Sequence, residues 1–79
     1  MIIKILGTGC PKCKKLEENA RTAVAELGIE ASFEKVTDLD KIMDYGVMMT
    51  PGLVIDEKVV ASGKLLTAVE IKSFIQKGV

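Results

Sequence analysis

The sequence predicts an α/β fold for this chain of 79 residues, with the element order β-α-β-α-β-β-α. Three observations carry the prediction. The nearly continuous apolar run Ile2–Leu6 is typical of a central strand that is covered on both faces. The segment Pro11–Leu27 places its apolar side chains at helical spacing, which predicts a long amphipathic helix. Near the end of the chain, Thr67 and Glu70 have the spacing of a capping box, which announces a last helix.

The remaining elements are predicted between these two helices. Residues 29–36 alternate in polarity and predict a second strand at an edge of the sheet, joined to the first by a parallel crossover. We expect Thr37 to cap a short helix that ends at Gly46. Residues 53–55 and 59–61 predict a hairpin. Because no linker or repeat interrupts this order, we expect residues 1–79 to form a single domain.

Composition and charge exclude several classes of function. Apolar residues make up 48% of the chain and charged residues 28%, which is typical of a globular protein. Eleven basic and eleven acidic residues balance, so nucleic-acid binding has little support. The apolar start is interrupted by Lys4 and is too short for a signal peptide or a membrane span. We therefore expect a monomeric cytoplasmic protein without a membrane or nucleic-acid partner.

Both cysteines of the chain lie in the motif Cys10-Pro11-Lys12-Cys13. As a structural disulfide, a bridge over so short a loop would remove only about 2 kcal/mol of unfolded-state freedom. A closed zinc site needs four ligands, and the chain has no histidine and no third cysteine. A dithiol that cycles between reduced and oxidised forms fits a Cys-x-x-Cys beside a β-α-β pattern. The motif therefore favours redox chemistry, and soft-metal binding by two thiolates is the alternative.

The helix is expected to make the two thiols unequal. Pro11 suits the first helical position, so Cys10 falls at or beside the N-cap. There the helix dipole and nearby Lys12 should lower the pKa of the Cys10 thiol. Cys13 lies on the apolar stripe of the helix, where desolvation should raise its pKa. We therefore expect Cys10 to be the nucleophile and Cys13 the resolving thiol.

The chain resembles a known family over essentially its whole length, and three stretches carry the resemblance. The sequence is similar to the small prokaryotic thioredoxin-like and glutaredoxin-like redox-active disulfide proteins, which belong to the thioredoxin-fold superfamily. The resemblance rests on Gly7-Thr8-Gly9-Cys10-Pro11-Lys12-Cys13, on the break at Gly46, and on Thr50-Pro51-Gly52-Leu53. It implies a four-stranded mixed sheet with three helices, and Pro51 in the cis form beside the cysteines.

The resemblance also implies an activity. Proteins of this family carry out thiol–disulfide exchange on partner proteins or small disulfides, which needs no bound cofactor and no metal. Cys10 and Cys13 would be the catalytic pair, and the supporting or substrate-binding positions would be Pro11, Lys12, Thr50 and Pro51. The expected electron donor is a flavoprotein of the thioredoxin-reductase type.

The sequence departs from its relatives at two points. The paired glycines and acidic residue that hold glutathione in glutaredoxins are reduced here to Gly63 followed by Lys64, so we expect a thioredoxin-type partner instead of glutathione. Lys4 is the only charged residue of the first strand, so the buried acid of thioredoxins has no counterpart there. The sequence leaves the proton acceptor for Cys13 unassigned.

The rival fold is that of small copper-chaperone domains, which also carry Cys-x-x-Cys between a first strand and a first helix. That fold ends in a strand, whereas this chain ends in a capped helix with Phe74 and Ile75 facing inward. Met43, Met48 and Met49 are soft potential ligands, but methionine more often fills gaps in packing, and we expect core or rim packing for them. A docking patch near Cys10 is the alternative for these methionines.

Overall fold

The predicted order of elements is confirmed. A computed structural model describes residues 1–9 and 11–77 of the chain. Its elements, in chain order, are β1 (Ile2–Leu6), α1 (Pro11–Leu27), β2 (Ser32–Val36), α2 (Leu39–Asp44), β3 (Gly52–Ile55), β4 (Lys58–Ser62) and α3 (Ala68–Gln76).

The strands form one mixed sheet in the order β2-β1-β3-β4. Strand β1 pairs in parallel with β2, with Ile3 opposite Phe33, and antiparallel with β3, with Ile3 opposite Ile55. Strands β3 and β4 pair antiparallel, with an irregularity between Leu53 and Val54. As predicted, β1 lies inside the sheet and β2 at its edge. Residue 7 follows the C-terminal end of β1 and therefore lies between neighbouring strands, not at the side of the sheet.

Helices α1 and α3 cover the first face of the sheet. The apolar stripe of α1 is buried as predicted, and it joins inward residues of β1, β3 and α3 in the larger hydrophobic cluster. Its fully buried members are Ile3, Leu16, Ala20, Ala23, Leu53, Ile55 and Ile71. This face supplies most of the apolar burial in the molecule, and so most of the hydrophobic stabilisation.

The short helix α2 covers part of the second face. Its Ile42 packs with Leu6, Val47 and Val54 in a smaller cluster. Beyond the reach of α2, the same face has a polar part around Lys4 beside the partly exposed Ile2 and Val59.

That polar part of the second face is organised around Lys4. The Lys4 ammonium donates to the Tyr45 hydroxyl (2.6 Å) and to the Glu57 carboxylate (2.7 Å), and it lies 3.8 Å from Glu34. The hydrogen bonds to Glu57 and Tyr45 raise the pKa of Lys4, so its charge is held on this face. Tyr45 is half-buried.

The helix caps agree with the sequence at one helix and differ at the other. The capping box of α3 is present, with Glu70 N donating to Thr67 Oγ1 (3.2 Å) and Thr67 N donating to Glu70 Oε1 (3.1 Å). The prediction that Thr37 caps α2 is wrong, because Asp38 is the N-cap and accepts from Asp40 N at 2.9 Å. Aspartate is the stronger capping residue of the two, and Thr37 instead lines a cavity beside Cys13.

The hairpin turn is built from Asp56 and Glu57, so β4 begins one residue earlier than predicted. Both residues have positive φ, 47° and 67°, as a type I′ turn requires. The turn lacks the usual Asn-Gly signal and is held by long-range contacts to β1. Ile2 N donates to the Asp56 carboxylate (2.8 Å) and Asp56 N donates to Ile2 O (2.9 Å).

Candidate active site

The first turn of α1 gives Cys13 a shielded position. Pro11 is the first helical residue, as predicted, and Pro11 and Lys12 are exposed. Cys13 is only 4% exposed and heads the buried stripe of the helix. The predicted nucleophile Cys10 lies outside the described residues. What the structure defines directly is therefore the environment of the predicted resolving cysteine.

A close approach of Gly7 brings Cys13 next to Thr50. The N–H of Gly7 donates to Val36 O (2.9 Å), which ties the end of β1 to β2. A Cβ atom added to Gly7 would overlap Cys13 Sγ and would stand 3.8 Å from Thr50 Cβ. Only a glycine therefore fits between the Cys13 sulfur and the Thr50 side chain.

Thr50 and Pro51 form the other wall of the site. The Thr50–Pro51 peptide bond is cis, as the resemblance implies, with Thr50 exposed and Pro51 buried. Gly63 N donates to Pro51 O (2.9 Å), so the residue after β4 is hydrogen-bonded to the residue before β3. Gly63 has a φ of 69°, and a Cβ there would lie 2.8 Å from Met49 Cβ. The structure thus brings Cys13, Thr50 and Pro51 together, with Pro11 and Lys12 directly before Cys13 in the first turn of α1.

A small cavity of about 60 Å³ lies beside Cys13. Cys13, Glu17 and Lys14 of α1 line it together with Ile5, Gly7, Gly9, Lys35 and Thr37. Glu17, Lys35 and Thr37 belong to no functional motif in the sequence, and the structure adds them to the site. The signal for Glu17 was its spacing, because residues i and i+4 of a helix share a face. For Lys35 on β2 and Thr37 just after it, the sequence has no such signal.

Glu17 is the acidic group of this cavity, and two cations hold it. Its carboxylate lies 2.9 Å from Arg21 and 3.1 Å from Lys35, and its side chain is only 14% exposed. Burial, the largest single influence, raises the pKa of Glu17, but the hydrogen bonds from Arg21 and Lys35 together outweigh burial and lower it. Arg21 in turn stacks over the Phe33 ring at 4.4 Å. The cavity beside Cys13 therefore contains an ionised carboxylate that is paired with two cations.

The methionines do not pack as predicted. Met48 is 83% exposed, Met49 66% and Met43 59%, and Leu39 of α2 is equally open at 61%. The expectation of core or rim packing is wrong. On α2 the buried contact is made by Ile42 and not by Met43, and Met48 and Met49 lie exposed in the segment between α2 and β3. A groove of about 230 Å³ near Thr50 is lined by Leu39, Ile42, Met43, Val47, Met48 and Thr50. An open apolar surface thus adjoins the Thr50 wall of the site.

The described part of the chain offers neither a metal-binding cluster nor a helix that could cross a membrane. Among residues 1–9 and 11–77, no three histidine, cysteine, aspartate or glutamate side chains converge as metal ligands. Nor does any described helix have the length and apolar character needed to cross a membrane.

Comparison with known proteins gives the class of the chain. A family model described as a thioredoxin domain matches residues 1–76. The thioredoxin of Methanothermobacter thermautotrophicus is 45% identical over 75 residues, which cover 95% of this chain and 97% of that protein. The thioredoxin of Methanocaldococcus jannaschii is 47% identical over 72 residues, or 91% of this chain and 83% of that protein.

Solved structures show the same fold at lower identity. Thioredoxin-2, a component of the malaria parasite protein secretion machinery, superposes with a TM-score of 0.69 at 19% identity, covering 96% of this chain and 81% of that chain. A second malarial protein gives a TM-score of 0.66 at 19% identity, covering 96% and 93%. At this identity the likeness concerns architecture alone.

The architecture is therefore that of the thioredoxin fold, and the predicted resemblance is confirmed. By its family model and its relatives, the chain belongs to the thioredoxin domain family. It is a thiol–disulfide oxidoreductase.

Proposed function

We propose that this chain reduces disulfides of partner proteins through Cys10-Pro11-Lys12-Cys13, with Cys10 as the nucleophile and Cys13 as the resolving thiol. The observation that carries the proposal is the burial of Cys13, which is 4% exposed and lies against Gly7. A shielded sulfur is poorly placed to meet a protein disulfide first. It is well placed to attack a neighbouring sulfur one helical turn away.

The proposed exchange runs in two steps. The Cys10 thiolate attacks one sulfur of the substrate disulfide, whose S–S bond breaks as a mixed disulfide forms and the first substrate thiolate leaves. Cys13 then loses its proton and attacks the Cys10 sulfur, which releases the second substrate thiolate. Two electrons pass to the substrate, whose two sulfurs take up two protons, and the protein is left with a Cys10–Cys13 disulfide.

Return of the dithiol needs a donor of two electrons. We assign this role to a flavoprotein of the thioredoxin-reductase type, because Gly63 is followed by Lys64 and not by the acidic glycine turn that glutathione-dependent relatives use. In this scheme the cysteine pair itself carries the two electrons in its dithiol form, and the protein works as one domain without a bound cofactor.

The substrate is assigned to the walls of the site. Exposed Thr50, held next to Cys13 by Gly7, would pair its backbone with an extended segment that carries the disulfide, while buried Pro51 fixes the position of Thr50. Pro11 and Lys12 would meet the same segment from the helix side. The groove formed by Leu39, Met43 and Met48 adjoins Thr50 and would take an apolar side chain of that segment.

Single-cysteine variants test the assignment of the two thiols. Cys13→Ser should keep a reactive thiol, fail to turn over, and accumulate covalent complexes with its substrates. Cys10→Ser should be silent toward both iodoacetamide and protein disulfides at neutral pH, because its remaining thiol is buried. The measurement is the alkylation rate of each variant against pH. Equal rates with matching apparent pKa values would overturn the assignment.

A second experiment separates the electron donors and the metal alternative. Oxidised protein is offered either NADPH with a flavin thioredoxin reductase or reduced glutathione, and thiols are counted. We expect the reductase to regenerate thiols efficiently. Efficient glutathione turnover through a Cys10 adduct would contradict the proposed donor. Tight Cu(I) or zinc binding by the reduced protein, abolished equally by either cysteine variant, would support metal delivery instead.

A further inference from the structure

The resolving step requires that the buried Cys13 thiol lose a proton. A thiol must be deprotonated to attack a disulfide, and Cys13 is only 4% exposed, so water outside the fold has little access to it. The small cavity beside Cys13 is the route that the structure offers. Among the described residues that line this cavity, Glu17 is the sole carboxylate.

We propose that Glu17 accepts the proton of Cys13 through this cavity when Cys13 attacks the mixed disulfide. The inference rests on the proposed function, since it presupposes that Cys13 is the resolving thiol. Glu17 lies on α1, so the acceptor comes from the helix that carries the cysteines.

Helix geometry places the two groups on one side of α1. Residues i and i+4 are neighbours on a helix surface, with Cβ atoms about 6 Å apart, and Glu17 stands four residues after Cys13. The cavity volume of about 60 Å³ is enough for roughly two waters at about 30 Å³ each. Such waters would carry the proton from Cys13 Sγ to the Glu17 carboxylate. The 14% exposure of Glu17 then gives the proton an exit to solvent.

The surrounding charges keep Glu17 ready to accept. Arg21 of α1 and Lys35 of β2 contact its carboxylate, and Lys14 of α1 also lines the cavity. Hydrogen bonds from Arg21 and Lys35 lower the pKa of Glu17 against the opposing effect of burial, so it is ionised at neutral pH. Because a lowered pKa makes Glu17 a weak base, it holds the proton only briefly and passes it on to solvent.

The proton and electron balance is complete without any further reactant. The S–H bond of Cys13 breaks as its S–S bond to Cys10 forms, and the S–S bond between Cys10 and the substrate breaks. The proton passes to Glu17, then to solvent, while the electron pair leaves on the substrate thiolate, which is protonated from solvent.

The experiment isolates this step. Reduced protein is mixed with the disulfide-linked dimer of a short cysteine peptide, quenched in acid, and the mixed disulfide is followed by mass between pH 5.5 and 9. In Glu17→Gln we expect the first peptide to leave at the wild-type rate, whereas the mixed disulfide should decay roughly 10- to 100-fold more slowly at pH 6. The decay in Glu17→Gln should then rise with hydroxide concentration, with a steeper pH profile than in the wild type.

Two further variants control for a structural effect. Glu18→Gln removes an exposed carboxylate of the same helix, 3.7 Å from Lys15, and should behave as wild type in both steps. Glu17→Asp keeps the carboxylate and should restore most of the resolving rate and the wild-type pH profile. Wild-type decay in Glu17→Gln, or equal slowing of both steps, would overturn the inference. A first release that survives Cys10→Ser would instead overturn the proposed nucleophile, and the role of Glu17 with it.

Discussion

The two faces of the sheet differ in how completely helices cover them. On the first face, α1 and α3 cover inward residues of β1 and β3, and the cluster includes the fully buried Leu16 and Ile71. On the second face, a helix of six residues buries Ile42 and leaves Leu39 and Met43 in solvent. The difference indicates that the first face supplies stability, whereas the second face keeps apolar surface open beside Thr50.

The largest expected effect breaks the first face. Leu16→Ala should cost about 3 kcal/mol of unfolding free energy, because Leu16 is fully buried and its removal leaves a cavity under α1. That is a large share of the stability of a chain of this size. Urea denaturation, read at an unchanged dependence on denaturant, measures the loss.

The matched control for Leu16→Ala lies on the second face. Leu39→Ala removes the same side chain at 61% exposure and should change the unfolding free energy by less than about 0.5 kcal/mol. Equal losses in the two variants would show that the faces do not differ in the way proposed here.

A smaller effect tests the polar part of the second face. Tyr45→Phe removes the hydroxyl that accepts from Lys4 (2.6 Å) and donates to Glu57 (3.2 Å), so we expect a loss of about 1 kcal/mol. Combined with Glu57→Gln, the loss in thermal denaturation should be less than the sum of the single losses, because the two residues share Lys4. Strict additivity would mean that the three groups do not act as one network.

The smallest effect is a pH dependence on the same face. The hydrogen bond from Lys4 lowers the pKa of Glu57 in the folded chain, against some desolvation, so its contribution is present above the unfolded pKa. That contribution is lost as the pH falls through the lowered folded pKa. The stability difference between wild type and Glu57→Gln should therefore shrink in acid and in high salt. Glu30→Gln, another exposed carboxylate, should show no such trend, and a difference constant with pH would refute the coupling.

Local patterns predicted most of the fold. The stripe of α1, the capping box at Thr67 and Glu70, and the strand character of Ile2–Leu6 all depend on residues within one or two turns of each other. The choice of Asp38 over Thr37 as the cap of α2 is also local, because aspartate caps helices more strongly than threonine. The prediction took the wrong one of two neighbouring capping residues.

The candidate site was predicted only in part, because some of its contacts join residues that are far apart in the chain. The buried position of Cys13 follows from the helical stripe, and the cis form of Thr50–Pro51 from the resemblance. The pairing of Glu17 with Lys35 joins a helix to a strand 18 residues away, and the Lys4 network reaches Glu57 across 53 residues. These contacts exist only because β1 lies between β2 and β3, and composition cannot reveal them.

Gly63 carries a consequence for how this chain tolerates variation. The residue lies on the surface, where a mutational scan would ordinarily find free substitution. Its φ of 69° and the 2.8 Å approach of a Cβ to Met49 Cβ close the position to every other residue type. A side chain there would push the Met49 segment, which Gly63 N holds through Pro51 O. A mutational scan that measures disulfide reduction should thus find that Gly63 does not tolerate substitution although it is on the surface. The substitution acts by displacing Thr50, which lies 13 residues earlier in the chain.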